Sequence, residues 1–269
     1  MAFVQKRKNG VTYYTIGAFE KTGMVKHGFS TRIGGVSTGE LNSLNLGVKK
    51  DDNKKNILEN YDRFSRALGI NMEDLVLSNQ VHEDNIVELK KEDRGKGLLR
   101  KSDLLGVDGF ITDDKEVALV TFYADCVPLF FLDPVKEAIG LTHSGWKGTV
   151  KKIGQKTLQK MIKTYNTNPK DVLVGIGPSI GQCCFEVGGE VVEEVEKEFK
   201  SNDYFYSKSN GKYMLDLWKL NKEQILDLGV KERNITVSEI CTKCNKDIFF
   251  SHRGDKGRTG SLAAIMQLR

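Results

Sequence analysis

The sequence predicts an α/β fold built on a mixed sheet, and three observations carry that prediction. Helix-periodic stretches alternate with short apolar runs along the whole chain. Several of those runs follow one another with no helix between them, which an all-parallel sheet does not permit. Only four prolines occur in 269 residues and no polar linker divides them, so residues 1–269 read as one domain.

Taken in order, VKHGFST (25–31) is the first run with strand character. Residues 54–68 then put Ile57, Leu58, Tyr61, Phe64 and Leu68 on one helical face, and Gly69 ends the pattern. Strands are predicted at LVLSNQV (75–81), VALVTFYA (117–124), LFFLD (129–133) and EAIGLTH (137–143). A helix over 148–165 follows from Val150, Ile153, Leu158, Met161, Ile162 and Tyr165. DVLVGIG (171–177) reads as a strand, 189–200 and 216–228 as helices, and NITVSE (234–239) and SLAAIMQL (261–268) as strands.

Composition narrows the function classes. Apolar residues at 39% and charged residues at 29% describe a soluble globular chain. The net charge of +5 is mild, and its lysines are interleaved with acids in KKDDNKK and KKEDRGKG, a solvated surface rather than a nucleic-acid stripe. The start, MAFVQKRKNG, lacks the apolar stretch of a secretory signal. The longest apolar run, VALVTFYADCVPLFFL, is too short for a membrane span and carries Asp125. Five cysteines without a disulfide spacing suggest reduced thiols, so a cytoplasmic protein with no membrane or nucleic-acid partner is expected.

Chemistry concentrates on few residues. The four histidines each lie in a polar or glycine-rich motif: His27 in HGFSTRIGG, His82 in NQVHEDN, His143 in LTHSGWKG and His252 in FFSHRGDKGRTG. Cys126, in YADCVP, lies between His82 and His143. His82, Cys126 and His143 each stand where a predicted strand runs out, the usual place for sites in open α/β sheets. Pro128, two residues past Cys126, is expected to mark a bend or bulge. One thiolate and two imidazoles suit zinc and leave a fourth position for water or substrate. The competing reading makes Cys126 a buried core thiol and His82 a loop residue. A third makes Cys126 the nucleophile and His143 the base of a metal-independent hydrolase.

The longer motifs resemble the YfiH/YlmD family, once called multicopper polyphenol oxidases or laccase-domain proteins. The matching segments are HGFSTRIGGVSTGELNSLNLG, NQVH, DGFIT, ADCVPLF, THSGWKG, GIGPSIGQCCFEVG, CT at 241–242 and FFSHRGDKGRTG, so they span residues 27–260. The resemblance implies an α/β/β sandwich and His82, Cys126 and His143 as zinc ligands. It also implies a purine nucleoside phosphorylase acting on adenosine, inosine, guanosine and S-methyl-5'-thioadenosine, with adenosine deaminase activity. Kinship to cysteine deamidases and a peptidoglycan-precursor editing role attached to some members supply the alternatives. A multicopper laccase is excluded by arithmetic. One blue-copper centre takes two histidines and a cysteine, and only two further histidines are left. A single copper could still replace zinc, because it competes well for such ligands.

Phosphorolysis requires a bound phosphate beside the sugar. Arg32 (before Gly34 and Gly35), Lys147 (at a predicted helix start) and Arg258 (in GRTG) are the cations expected to hold it, with Asn45 as a further contact. Arg253 and His252 share the glycine-rich stretch with Arg258, and Arg253 reads equally as a surface charge. Asp125, beside the thiolate, is expected to act as acid, base or orienter of a histidine. GIGPSIG (175–181) lacks the dinucleotide spacing and reads as a turn. CTKC (241–244) has no second pair at zinc-ribbon spacing, so no second metal is expected there, and Cys183 and Cys184 read as packing residues.

Overall fold

The computed structural model describes residues 2–201 and 203–269. Its first sheet runs in the order β1 (Phe3–Lys8), β2 (Val11–Ile16), β3 (Val25–Ser30), β15 (Leu262–Leu268), β7 (Ala118–Tyr123) and β4 (Leu75–Leu77). The second runs β14 (Ile235–Val237), β10 (Leu173–Ile176), β8 (Val127–Asp133), β9 (Ala138–Ser144), β6 (Gly109–Thr112) and β5 (Ile86–Glu88). A small third sheet joins β11 (Glu186–Val187), β13 (Tyr213–Leu215) and β12 (Phe205–Ser207). Parallel pairs β4–β7, β5–β6 and β10–β14 sit among antiparallel ones, so the predicted mixed α/β architecture holds. The two large sheets are the two β layers of the α/β/β sandwich that the resemblance implies.

Alternation explains how the two sheets stack. In β8, Val127, Leu129 and Phe131 point to one face while Phe130 and Leu132 point to the other. The second set meets Phe29, Leu119 and Met266 of the first sheet and forms the core of the sandwich. The first set packs under helices α4 (Ile153–Tyr165), α5 (Gly189–Glu198) and α6 (Leu217–Leu226) through Leu158, Val192 and Leu220. The outer face of the first sheet takes α2 (Lys54–Leu68), whose Ile57, Tyr61 and Phe64 are buried at helical spacing. Asn53 caps α2 through Lys55 N, and Gly69 ends it at φ 73°. The short α1 (Gly17–Thr22) links β2 to β3.

Two predicted elements are shorter than their periodicity. The helix over 148–165 is two helices, α3 (Trp146–Val150) and α4, with Lys152 between them in the left-handed region. The break is paid for by α6. Gln224 donates to the Thr149 carbonyl at 2.9 Å, and Asn221 donates to the Thr149 hydroxyl at 3.1 Å. The strand at 75–81 stops at Leu77. Beyond it the Gln80 side chain takes over the ladder, donating to the Phe122 carbonyl at 2.9 Å and accepting from Phe122 N at 2.6 Å. Nor does Pro128 bend the chain. It is the second residue of β8, one step past the last rung shared with β10, where no N–H is required.

His27 is structural. It is buried in β3, and its Nε2 accepts a hydrogen bond from Ile16 N at 2.7 Å beside the Phe19 ring. Burial, with Arg269 and Lys6 nearby, pushes its pKa from 6.5 down to about 4. The folded protein therefore holds His27 neutral where the unfolded chain would take a proton. Stability from this residue is intact above pH 6.5 and is lost as pH falls toward 4, by about 3 kcal/mol at most. The unfolding free energies of wild type and His27→Gln should therefore converge between about pH 7 and about pH 4.5 in urea titrations. A gap that stays constant over that range would contradict this account.

Candidate metal centre and substrate cavity

His82, Cys126 and His143 arrive at one point from three segments. One ring nitrogen of each histidine and the Cys126 sulfur all lie within 4.8 Å of one another. His143 is the sixth residue of β9 and pairs with Pro128 across the ladder. Cys126 occupies the turn from β7 to β8, just after Asp125 at φ 86°. His82 lies midway along the loop from β4 to β5, at φ 64°. Both positive φ values are uncommon for residues other than glycine and are held in place by their surroundings.

For His82 that support is Asp108, immediately before β6 and fully buried. Its Oδ1 accepts from His82 N at 3.1 Å, and its Oδ2 accepts from Val81 N and Glu83 N at 3.0 and 3.1 Å. The same Oδ1 lies 2.8 Å from His143 Nδ1, and the Asp108 carbonyl accepts from His143 N at 2.8 Å. With Nδ1 occupied, Nε2 of His143 is the nitrogen left to face Cys126. Burial opposes charge on Asp108, but His143 and the loop amides outweigh it and keep the carboxyl below its ordinary pKa.

Asp125 is held equally firmly. Oδ1 accepts from the Thr242 hydroxyl at 2.7 Å and Oδ2 from Arg253 N at 2.6 Å. Both oxygens are engaged, which suits a residue that fixes the turn around Cys126 more than one that exchanges protons.

Electrostatics at the centre favour ionised sulfur. Burial pushes the Cys126 thiol up, but His143 and then His82 bring it down to about 6. Burial likewise lowers His143, yet the Cys126 thiolate and Asp108 carry it up to about 9. The two rings sit 4.9 Å apart at 84°. Gly145 completes the cradle. A Cβ there would stand 3.1 Å from His82 Cδ2 and 3.3 Å from Cys126 Sγ, crowding both ligands. One sulfur and two imidazole nitrogens, oriented and uncovered on one side, fit a borderline-soft divalent ion.

The centre forms the floor of a cavity of about 520 Å³. Its walls include Phe122, Trp146, Ile180 and Phe185. Lys49, Lys50 and Arg253 supply the cationic side, and His252, Ser78 and Gln80 add polar groups. Arg253 lies over the Phe185 ring and donates to the Glu186 carbonyl at 2.8 Å.

The cations expected to hold phosphate lie elsewhere. Arg32 stacks on Phe250, 4.5 Å from its centroid, and donates to the carbonyls of Asn42 and Lys246 at 2.9 and 3.0 Å. With Arg258, which faces Glu40, it borders a separate depression. Lys147 is exposed beside Trp146 and outside the cavity lining. Asn45 is buried, donating to Asp52 at 2.8 Å and accepting from Gly47 N and Ser261 N at 3.1 and 2.9 Å. It anchors two segments of the cavity wall without lining it. In the sequence Asp108 is only a lone acid ahead of an apolar run, in DGFIT, and nothing local marks it as a partner of the two histidines. Lys50 was hidden inside a run that looked like solvated surface.

Comparison with known proteins identifies the family and the fold. The family model for multi-copper polyphenol oxidoreductase laccase matches residues 26–269. The purine nucleoside phosphorylase YlmD of Bacillus subtilis is 35% identical over 244 residues, covering 90% of this chain and 88% of that protein. The crystal structure of YlmD from Geobacillus stearothermophilus superposes with a TM-score of 0.93 at 35% identity, over 99% of this chain and 98% of that one. That of the hypothetical protein YfiH from Bacillus licheniformis gives 0.91 at 31%, over 98% and 99%. The family resemblance drawn from the motifs is borne out.

Because Asp108 fixes both histidines, Asp108→Asn should weaken metal binding by about 10- to 100-fold while the chain stays folded. Competition titration against a chromophoric chelator measures this, and wild-type affinity in a folded variant would remove Asp108 from the site.

Proposed function

Since the chain belongs to the multi-copper polyphenol oxidoreductase laccase family, we propose that it is a metal-dependent purine nucleoside phosphorylase. The observation that carries this reading is the placement of His82, Cys126 and His143 on the floor of a cavity with aromatic walls and a cationic side. The names of the YlmD relatives supply the substrate class. Adenosine, inosine, guanosine and S-methyl-5'-thioadenosine are the proposed substrates, with adenosine deamination as a second reaction. No described helix is long and apolar enough to cross a membrane, and the free thiols accord with a cytoplasmic setting.

Zinc is the proposed ion, held by His82, Cys126 and His143, and copper is the competing occupant. Bound there, zinc would supply Lewis acidity toward a substrate oxygen and acidify a water. The chain supplies the rest. Phe122, Trp146 and Phe185 offer flat apolar surface to a purine. A cavity of about 520 Å³ has room for a nucleoside and phosphate together.

As the glycosidic bond opens, the sugar takes on oxocarbenium character and phosphate attacks the anomeric carbon. Lys50 and Arg253 are the proposed phosphate contacts. Among the described residues, no hydrogen bond or ion pair holds the Lys50 ammonium, so it is free to turn to an anion. Asp125 serves as a positioning residue that fixes the Cys126 turn and the Arg253 backbone. His143 stays oriented by Asp108 throughout. Arg32, Asn45 and Arg258 act, in this reading, on the framework around the site.

Turnover, metal content and variant kinetics test it. Inosine cleavage should depend on phosphate, and Cys126→Ala or His143→Ala should lose both the bound metal and turnover. Lys50→Ala should raise the KM for phosphate about tenfold or more, the scale of a lost charge-assisted contact. Arg32→Ala should lower stability and leave that KM unchanged. Turnover that persists in metal-free protein and disappears on alkylating Cys126 would replace this reading with the Cys126–His143 hydrolase.

A further inference from the structure

The two cysteine pairs read as unrelated in the sequence meet in the fold. The turn at 182–184 and the turn that starts at Thr242 lie side by side, joined by a bridge between Ser179 and Cys241. Ser179 N donates to the Ile240 carbonyl at 3.2 Å, and Thr242 N donates to the Ser179 carbonyl at 3.0 Å. As a result the sulfurs of Cys183, Cys184, Cys241 and Cys244 all lie within 4.8 Å of one another. Cys244 Sγ is 3.7 Å from Cys183 Sγ and 3.5 Å from Cys184 Sγ.

Those separations discriminate between chemistries. A disulfide places its sulfurs about 2.0 Å apart. A tetrahedron with metal–sulfur bonds of about 2.3 Å has edges of about 3.8 Å, close to the distances seen. Two details match a tetrathiolate. Gly181 N donates to Cys241 Sγ at 3.3 Å, as thiolate sulfur in such sites requires. Gly181 also lacks the Cβ that would stand 3.3 Å from Cys183 Sγ and closer still to Trp218. Cys241–Cys244 supplies a C-x-x-C turn, and the missing second pair is the adjacent Cys183–Cys184, brought in from 57 residues upstream of Cys241 by the fold rather than by zinc-ribbon spacing.

We propose that Cys183, Cys184, Cys241 and Cys244 form a second metal site, a tetrathiolate that takes zinc and fastens the 180–185 segment to the 241–248 turn. Coordination needs no redox partner; the thiols give up their protons to solvent as the ion binds. The site is closed, with four protein ligands, so its role is structural. What it fastens matters to the cavity: Ile180 and Phe185 lie in its wall, and Thr242 holds Asp125 beside Cys126.

The test uses the full chain with the other centre removed. His82→Ala/His143→Ala protein, kept reduced and stripped of metal, is titrated with cobalt(II). The expected result is about one cobalt per chain with the intense charge-transfer and d–d bands of tetrahedral tetrathiolate coordination, bleached when zinc displaces it. Adding Cys183→Ser or Cys244→Ser, both at exposed positions, should weaken cobalt binding about tenfold or more. In the otherwise wild-type chain, Cys244→Ser should lower zinc content from about two equivalents to about one. Absence of the thiolate bands, or binding unaffected by both serine variants, overturns the proposal. So does a disulfide among these four cysteines that survives the reductant and excludes cobalt. None of these outcomes depends on catalysis, so the site can fail while the phosphorylase reading stands, and the reverse.

Discussion

The buried Asp108 carboxylate is the contact on which the candidate centre depends. A carboxylate withdrawn from water is costly unless its lone pairs are filled, and here three loop amides and one imidazole fill them. The cost is converted into geometry. Satisfying Asp108 forces His82 into its left-handed turn and presents one chosen nitrogen of His143. The loop from β4, the start of β6 and the end of β9 are thereby locked to one anionic group. The strand order puts β6 beside β9, so the carboxylate and the imidazole it orients are neighbours on one sheet. Asp125 repeats the device at Cys126, with a hydroxyl and an amide as its partners. Neither acid is one of the three ligand candidates, yet together they decide where the reactive atoms stand.

Much of this was legible in the residues, and what was not has identifiable causes. Helix α2 matched its predicted span because cap, periodicity and terminal glycine agree within one short segment. The strand runs were visible because both faces of the central strands are buried, which leaves continuous apolar stretches. β1 and β2 went unread because β1 is an edge strand rich in lysine and arginine. The strands of the third sheet are two or three residues long, too short to display a period. The helix break at Lys152 depends on Asn221 and Gln224, and no local pattern announces side chains so far along the chain.

The site divides along the same line. Histidines and a cysteine that are few and set in motifs were readable from chemistry alone. The cations were not, because a guanidinium's role is set by what surrounds it. Arg32 sits among small residues, as a phosphate ligand would, yet it is taken up by a carbonyl 214 positions away and by the face of Phe250. Lys50 has no such partners among the described residues. The four clustered thiols make the same point: spacing rules describe ligand pairs that fold locally, whereas these are assembled by two distant loops.

The last strand carries a consequence for how the molecule is made. β15 lies between β3 and β7, pairing with both along its length. Its Leu262, Ala264, Met266 and Leu268 feed the core between the sheets, while Ala263 and Ile265 feed the layer under α2. On the ribosome, then, the first sheet exists only as two fragments with bare edges until residues 262–268 have emerged. Contacts of such sequence separation close slowly, and unpaired edges invite neighbouring chains. A nascent chain stalled before Leu262 would be a client for chaperones, however complete its metal-binding residues were.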